Sequence, residues 1–437
     1  MSDIDRCLTR TALLIRRDFF PSLSETQIVA ELTSIRIQLH ADPEAVSTPA
    51  GQTALTSSAI LIGQLGAEVA VNLPAVAPIG TQPPFPPAET LGESLLEGSR
   101  ELIRPLILGI HEESDLVVRY GSSAPALGGF PVQVSLCAAE YGARLDTDPL
   151  AESTFRGGQP FGPLLAAIAV AAECFRLAVA TIARRHGLDA GSEHYLGPPR
   201  PVSLAVPSLE LGDQVSLGRL DVISAGAITN GLLFTLFRVP GIRGALRLFD
   251  ADTVSLDNLN RCGLFTRADV DAKKVVALAR RAPTELEISA EAVRFGDAEL
   301  GPLAPRVVVG VDHIPSRWAV QKDAPGWLGV GGTTHFSAVV SEHDPDSPCA
   351  GCLHPEDDPT EGPVPTVSFV SALAGVLLAH RLLANLSGVP LSNPHWGWCL
   401  ALFEERGLSR IGLAANPSCP VGCEASRSPE VQRQLTG

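Results

Sequence analysis

The sequence predicts an α/β protein, Rossmann-like, with a mostly parallel sheet in its C-terminal half. Three observations carry that expectation. First, Asp221–Ser224 is a short apolar strand, Ala225, Gly226 and Ala227 make a turn of small residues, and an apolar helix follows from about 229 to 239. Second, Pro240, Gly241 and Gly244 break that helix, and a second apolar strand at 245–249 runs into Asp250-Ala251-Asp252. Strand, small-residue turn, helix, strand and terminal acid, in that order, are the form of a nucleotide-binding βαβ unit. Third, Val307–Val311 is another apolar strand, ending at Asp312 and followed by a helix from about Ser316.

Composition allows such a fold and narrows its partners. The chain has 437 residues, 45% hydrophobic and 19% charged, enough apolar material for a large buried core. The formal net charge of −15 argues against nucleic acid or an anionic membrane as the main partner, while ATP needs only a local basic cluster. The N-terminal stretch shows no secretory pattern, and the most apolar segments, Phe161–Ala183 and Val367–Leu383, are interrupted by charged residues and read as buried helices. A cytoplasmic location is therefore expected, with the nine cysteines reduced and the paired ones holding metal.

In chain order, residues 1 to about 55 read as helical, with Ser24 capping a helix over Glu25–Leu39. Ala59–Ile62 and Val69–Leu73 read as strands, Glu89–Ile110 as a helix broken at Pro105, and Leu116–Arg119 as a strand. Val132–Cys137 and Gly142–Leu145 frame a strand pair before the long helix from Phe161. Pro198–Pro207 reads as a linker, dividing the chain into domains at 1–200 and 208–437. In the second half, Gly329–Gly332 reads as a tight turn, Phe336–Val340 and Trp396–Cys399 as strands, and Val367–Leu386 as a helix. In both halves a strand pair precedes an Ala/Leu-rich helix. Either residues 1–200 are a degenerate, inactive copy of the second half, or two buried helices look alike because both are apolar.

The loop after the second strand carries the most specific signal. D-x-D-x-V-x-x-x-N-L-N-R places Asp250, Asp252, Asn258 and Arg261 together, followed by Phe265-x-x-x-Asp269-Val270-Asp271-x-x-Lys274 and, after a later strand, Asp312. Two of the chain's three lysines, Lys273 and Lys274, fall here, the third being Lys322. These elements resemble the ThiF/MoeB family, the adenylating core shared with ubiquitin-activating enzymes, over the half of the chain from Val215 onward. The family pattern is a glycine turn, D-x-D-x-V-x-x-x-N-L-x-R and F-x-x-x-D-V-G-x-x-K. Ser224 and Thr229 stand where G-x-G-x-x-G wants glycine.

The resemblance implies adenylation of a carboxylate, in which a carboxylate oxygen attacks the α-phosphate of ATP and pyrophosphate leaves. It implies that Gly226 and Ala227 cradle phosphate, Asp250 binds the ribose, Asp252 lies beside it in the loop, and Asn258 orients the loop or touches phosphate. Arg261 and Lys274 would stabilise the phosphates and Asp312 would hold Mg²⁺. The family often borrows an arginine from a partner half, for which Arg6, Arg10, Arg16 and Arg17 are the candidates.

Cys349-x-x-Cys352 and Cys419-x-x-x-Cys423 form a second cluster. Two such pairs make a tetrahedral Zn²⁺ site with no open position, hence a structural one, and the family carries a structural zinc at these places. His354 is a substitute ligand or a solvated loop residue. Many relatives carry a thioester-forming cysteine in the loop before the long helix. Here that loop, 354–369, has Thr360 and no cysteine, which leaves Cys262 and Cys399 as candidates, with a neighbouring arginine able to lower the pKa of Cys7 or Cys262.

The leading expectation is an enzyme that adenylates the C-terminal glycine of a small ubiquitin-like or sulfur-carrier protein. It would then pass that protein to a thiol, its own, a conjugating enzyme's or another acceptor's. An enzyme adenylating a peptide C-terminus without a thioester, as in peptide-antibiotic biosynthesis, is the alternative. A catalytically dead scaffold and an NAD-dependent dehydrogenase are two more. A homodimer is the expected assembly if the first half is no copy of the second, and a monomer suffices if it is.

Overall fold

The computed structural model describes residues 2–121, 132–148, 154–189, 198–297, 301–311, 313–323, 326–357, 365–389, 396–401, 403 and 409–427. It divides into two compact units. The first is Met1–Ser208 with Val254–Val270 and Val364–Leu373, and the second is Leu209–Thr253, Asp271–Pro363 and Ala374–Gly437.

The first unit opens with helices α1 (Asp3–Asp18) and α2 (Glu25–Ser34). Ser24 caps α2 as expected: its hydroxyl accepts from the Gln27 N–H, and the Gln27 side chain reaches back to the Ser24 N–H. The helix ends sooner than its composition suggests. Ile35 turns extended, and Arg36–Ala41 becomes strand β1 with five of its six residues buried. The apolar run Ala59–Ile62, read as a strand, lies instead in helix α4 (Pro49–Gly63), which follows the short α3 (Pro43–Val46) and is buried on nearly every side. A helix buried all round has no polar face, so its sequence carries no helical period to read. Strand β2 (Glu68–Asn72), helix α5 (Leu91–Ser99), β3 (Ile107–Leu108), β4 (Leu116–Tyr120), β5 (Gln133–Ala138) and β6 (Gly142–Asp146) follow. The helix read over Glu89–Ile110 is thus confined to Leu91–Ser99. Long helix α6 (Phe161–His186) is buried along most of its length and ends at Gly187, whose φ of 62° only glycine adopts without strain. The proline-rich linker contains one more strand, β7 (Val202–Ala205), which pairs antiparallel with β6.

The second unit contains β8 (Val215–Ile223), α7 (Ala227–Leu236), β9 (Ile242–Phe249), α8 (Lys274–Ala279), β10 (Leu286–Glu291), β11 (Arg306–Val309) and α9 (Ile314–Lys322). Then come β12 (Trp327–Thr334), β13 (Ser337–His343), α10 (Ala350–Leu353), α11 (Ser368–Leu386, its start through Leu373 counted with the first unit), β14 (Trp396–Ala401) and β15 (Ser409–Gly412). Gly329–Gly332 is not a turn but the middle of β12. Gly331 leaves room for Ile228, which a Cβ would meet at 2.8 Å, so this glycine admits α7 against the strand, while Gly329 makes room for Trp327 and Leu378.

The two sheets share one plan. The first runs β3-β2-β1-β4-β5-β6-β7 and the second β10-β9-β8-β11-β12-β13-β14-β15. Counted from the first strand of each, the order is the same through the seventh. The directions agree as well: the inner strands pair parallel, and antiparallel pairing begins at β5–β6 in one sheet and at β12–β13 in the other. Each sheet inserts its long apolar helix, α6 or α11, after its sixth strand. The first half therefore repeats the architecture of the second. Both long helices pass the length and hydropathy test for a membrane span, yet the most apolar window of α6 is wholly buried and that of α11 is 83% buried in the protein.

Within the second unit α11 meets α7 backbone to backbone. A Cβ on Gly375 would stand 2.2 Å from the Gly231 carbonyl carbon and 2.3 Å from the Leu232 nitrogen. Gly375→Ala is expected to cost about 1–3 kcal/mol by forcing the helices apart. Urea denaturation of the variant reads this cost as a lowered midpoint, and an unchanged midpoint would show that α11 shifts freely.

Candidate active site

The order of the second sheet reverses direction at β8, which has β9 on one side and β11 on the other. Open α/β sheets bind ligands at the carboxyl ends of the strands where the order reverses. The turn after β8 lies there. Ser224 has φ of 89°, a left-handed conformation that a serine adopts only when its surroundings impose it. Two hydrogen bonds do so: the Ala225 N–H donates to Asp250 Oδ2 at 2.7 Å, and the Gly226 N–H donates to Ser224 Oγ at 3.0 Å. Helix α7 begins at Ala227 with Gly226 as its cap residue and no side-chain cap, so its first N–H groups have no intrahelical or capping acceptor. Such an N-terminus suits phosphate.

Asp250 also receives the Asp252 N–H at 2.8 Å through its other oxygen, Oδ1. Its carboxylate thereby ties the end of β9 to the turn after β8. Asp252 pairs with Lys274: Nζ donates to Oδ2 at 2.8 Å, and the Lys274 N–H reaches the Asp252 carbonyl. The Lys274 ammonium holds the Asp252 carboxyl below the ordinary carboxylate value. Lys273, the other member of the pair, donates to the Ala251 carbonyl. Asp271, just before them, has φ of 69° at the place the F-x-x-x-D-V-G-x-x-K pattern gives to glycine. At 224 and 271 the chain keeps a glycine-like backbone without the glycine. Gly226, Ala227, Asp250, Asp252 and Lys274 thus gather at one corner of the second unit.

Asn258 and Arg261 belong to the first unit. The Ser255 N–H donates to Asn258 Oδ1 at 3.1 Å, so Asn258 braces the short turn at Leu256–Asn258. Arg261 donates to Asn260 Oδ1 at 2.8 Å and to the Asp257 carbonyl. Asp257 was not singled out by the motif, although it organises this loop. Arg10 of α1 lies 3.3 Å from its carboxylate and Arg261 3.9 Å. Burial opposes ionisation of Asp257, yet Ser255, Arg261 and Arg10 together hold its carboxyl below the usual range. The Asn260 side chain donates to Thr11 Oγ1 at 3.0 Å, fastening the loop to α1. Of the four N-terminal arginines, Arg10 is therefore the one drawn to this loop, while Arg16 pairs with Glu25 and Arg17 with Asp18. Its signal in the sequence was only its place on a helix. Asp312, the Mg²⁺ candidate, and Thr360 lie outside the described residues.

The corresponding corner of the first unit has different chemistry. After β1 the Asp42 carboxylate accepts the Ala45 N–H at 2.7 Å and caps the next helix itself. A Cβ on Gly121, after β4, would stand 2.1 Å from that carboxyl group. Here a carboxylate accepts one of the N-terminal N–H groups of the helix, and no acidic pair follows β2, which ends at Asn72.

The sulfurs of Cys349, Cys352, Cys419 and Cys423 all lie within 4.8 Å of one another, with Cys349–Cys419 at 3.3 Å and Cys352–Cys423 at 3.5 Å. Four thiolates about 2.3 Å from one Zn²⁺ would be spaced about 3.8 Å apart, so the donor set fits zinc. The extra residue of the second pair is absorbed at Gly422, with φ of 65°. Hydrogen bonds that the Cys349 thiol makes to Cys352 and Cys423 push it far above its ordinary value. His354 is turned to Arg317, 3.1 Å away, and the four-sulfur group does not include it.

Among the other described thiols, burial raises those of Cys7, Cys137 and Cys174, while the Cys399 side chain lies outside the described residues. Burial pushes Cys7 up to about 11 despite the nearby Arg267, contrary to the expectation that an arginine would lower it. Cys262 is 2% exposed, and the Arg261 side chain before it is engaged with Asn260 and Asp257.

The fold and this corner define a Rossmann-like nucleotide-binding protein. Residues 213–421 match the ThiF family model, and that segment is a ThiF-family domain. Over 244 residues the chain is 28% identical to the sulfur carrier protein adenylyltransferase of Thermus thermophilus, covering 50% of this chain and 88% of that protein. It is 32% identical over 146 residues to the uncharacterized protein y4jF of Sinorhizobium fredii, covering 32% of this chain and 28% of that one. Among solved structures, E. coli MccB is similar with TM-score 0.40 and 17% identity, over 48% of this chain and 66% of MccB. PaaA is similar with TM-score 0.37 and 14% identity, over 45% of this chain and 73% of PaaA. The chain thus spans less than a third of y4jF and just under two thirds of MccB.

Two expectations follow. Purified protein should carry stoichiometric zinc by atomic absorption, and Cys352→Ser should lose it; a metal-free wild type would show that the sulfurs pack as thiols. Because the folded-state pKa of Asp252 is depressed, its pairing contributes stability above the ordinary carboxylate value and loses it as pH falls through the depressed one. The stability gap between wild type and Asp252→Asn should therefore close on acidification, and a gap independent of pH would contradict the pairing.

Proposed function

We propose that the chain adenylates a C-terminal carboxylate with ATP, releasing pyrophosphate, and that its substrate is a small ubiquitin-like or sulfur-carrier protein ending in glycine. The observation that carries this reading is the uncapped start of α7, set at the strand-order reversal with Asp250, Asp252 and Lys274 around it. The similarity to the Thermus sulfur carrier protein adenylyltransferase supports the substrate class.

Residue roles follow from motif position and local chemistry. Gly226 and Ala227 offer backbone N–H groups to phosphate, and Asp250 holds their turn and faces the ribose. Lys274, released from Asp252 by the nucleotide, offsets the charge that grows on the phosphate oxygens, and Arg261 is assigned to phosphate by its motif position alone. Asn258 braces the Arg261 loop, and Asp312 is the assigned Mg²⁺ carboxylate. ATP supplies the leaving pyrophosphate. The four cysteines would hold zinc, which would tie the segment around Cys419–Cys423 to the Cys349–Cys352 turn in a structural role. On this reading the first unit is an inactive copy, since its Asp42 carboxylate already caps the helix after β1.

A second reading, adenylation of a peptide C-terminus without a thioester, is favoured by the absence of cysteine from the stretch 354–369 and by the burial of Cys7, Cys174 and Cys262. If a thioester forms, Cys399 and a partner's thiol are the candidate acceptors.

ATP–pyrophosphate exchange with carrier proteins ending in glycine tests the reaction. Lys274→Ala should lower the exchange rate at least ~100-fold, in line with the loss of a preorganised charge at the reacting phosphate. A Lys274→Ala enzyme as fast as wild type would remove the lysine from the mechanism. A thiol-sensitive adduct on a non-reducing gel would count against the second reading.

A further inference from the structure

We propose that the Ser224 hydroxyl is a built-in competitor for the nucleotide's phosphate and sets how tightly this chain holds ATP. The inference rests on the reading of the 224–227 turn as the phosphate site.

Ser224 occupies the first glycine position of the turn and keeps a glycine's backbone, with φ of 89°. It adds a side chain at the place where a phosphate would approach. That side chain folds back along the turn, and its Oγ accepts the Gly226 N–H at 3.0 Å. Gly226 is the second glycine of the pattern, the one whose missing side chain lets the backbone come close to a phosphate. A Cβ built on Gly226 would stand 3.2 Å from Ser224 Oγ. The hydroxyl oxygen therefore sits over the face that this glycine leaves open and takes the donor a phosphate oxygen would use. Ser/Thr side chains accept a backbone N–H two residues on in just this way, and here the result is an internal stand-in for an anion.

The turn has little freedom to avoid the conflict. Asp250 grips the Ala225 N–H at 2.7 Å, and Gly226 is the cap residue of α7. For a phosphate oxygen to take the Gly226 N–H, the Ser224 side chain must rotate to another rotamer and give up its hydrogen bond. The bound nucleotide carries that cost, while a nucleoside without phosphate does not.

Isothermal titration of wild type, Ser224→Ala and Ser224→Gly with ATP and with adenosine tests the proposal. Ser224→Ala keeps the Cβ and the left-handed strain and removes only the hydroxyl. Ser224→Gly removes both and provides a variant relieved of strain should the alanine variant fold poorly. Both should bind ATP more tightly, by ~3- to 10-fold, the equivalent of one neutral hydrogen bond no longer displaced. Adenosine affinity should stay at the wild-type value. Unchanged or weaker ATP binding in both variants, with the wild type binding, overturns the competitor role and leaves the phosphate site standing. Tighter binding of adenosine and ATP alike also overturns it, since the hydroxyl would then be acting on the whole site. No ATP binding by any of the three overturns the site reading and this inference with it.

Discussion

The corner between β8, α7 and β9 depends on the carboxylate of Asp250. One oxygen accepts from Ala225 and the other from Asp252, so a single side chain fixes the path of the chain after two neighbouring strands. Charge-assisted hydrogen bonds of this kind are among the stronger ones in proteins. Everything chemically distinctive nearby inherits its position from them: the left-handed Ser224, the open start of α7, and Asp252 with its partner Lys274. A side chain that also faces the ribose in the proposed reaction would then connect substrate recognition directly to the shape of the phosphate turn.

The two sheets share a plan and differ in the chemistry of their turns. Strand order and direction agree from the first strand to the seventh, and both units place a long buried helix after the sixth. That plan is selected by apolar patterning distributed over many residues. The difference lies in a few turn residues. In the second unit a glycine and an alanine start the helix, whereas in the first the Asp42 carboxylate caps it and no D-x-D pair follows the second strand. Negative charge at a helix N-terminus is good for the helix and bad for a phosphate that must use the same N–H groups.

Legibility in the sequence followed the reach of the interactions. The β8–turn–α7–β9–acid order was readable because each piece carries its own local signal, an apolar run, small residues or a terminal acid. The errors fell where context overrides such signals. Ala59–Ile62 is a strand-like run placed in a helix because α4 is buried on all sides. Gly329–Gly332 has turn composition but is strand, because its glycines leave room for the neighbouring side chains. The helix read past Ser34 stops because Arg36–Ala41 is claimed by both β2 and β4 as the middle strand of the first sheet.

The sequence by itself determined the chemistry on offer: two cysteine pairs, an acid-rich loop with N-L-N-R, and lysines concentrated at one place. These are matters of residue type and short spacing, which covalent geometry preserves in any fold. The tertiary structure alone decided which groups meet. It brought cysteines some 70 residues apart within reach of one ion and matched Lys274 to Asp252 across 22 residues. It gave Arg10 and Arg261 a common carboxylate in Asp257 and set Ser224 in a glycine's conformation. The reason is physical. Such meetings are fixed by the closure of long loops and by the pairing of whole strands, and their free energy is shared among residues distributed along the chain, so no local stretch records them.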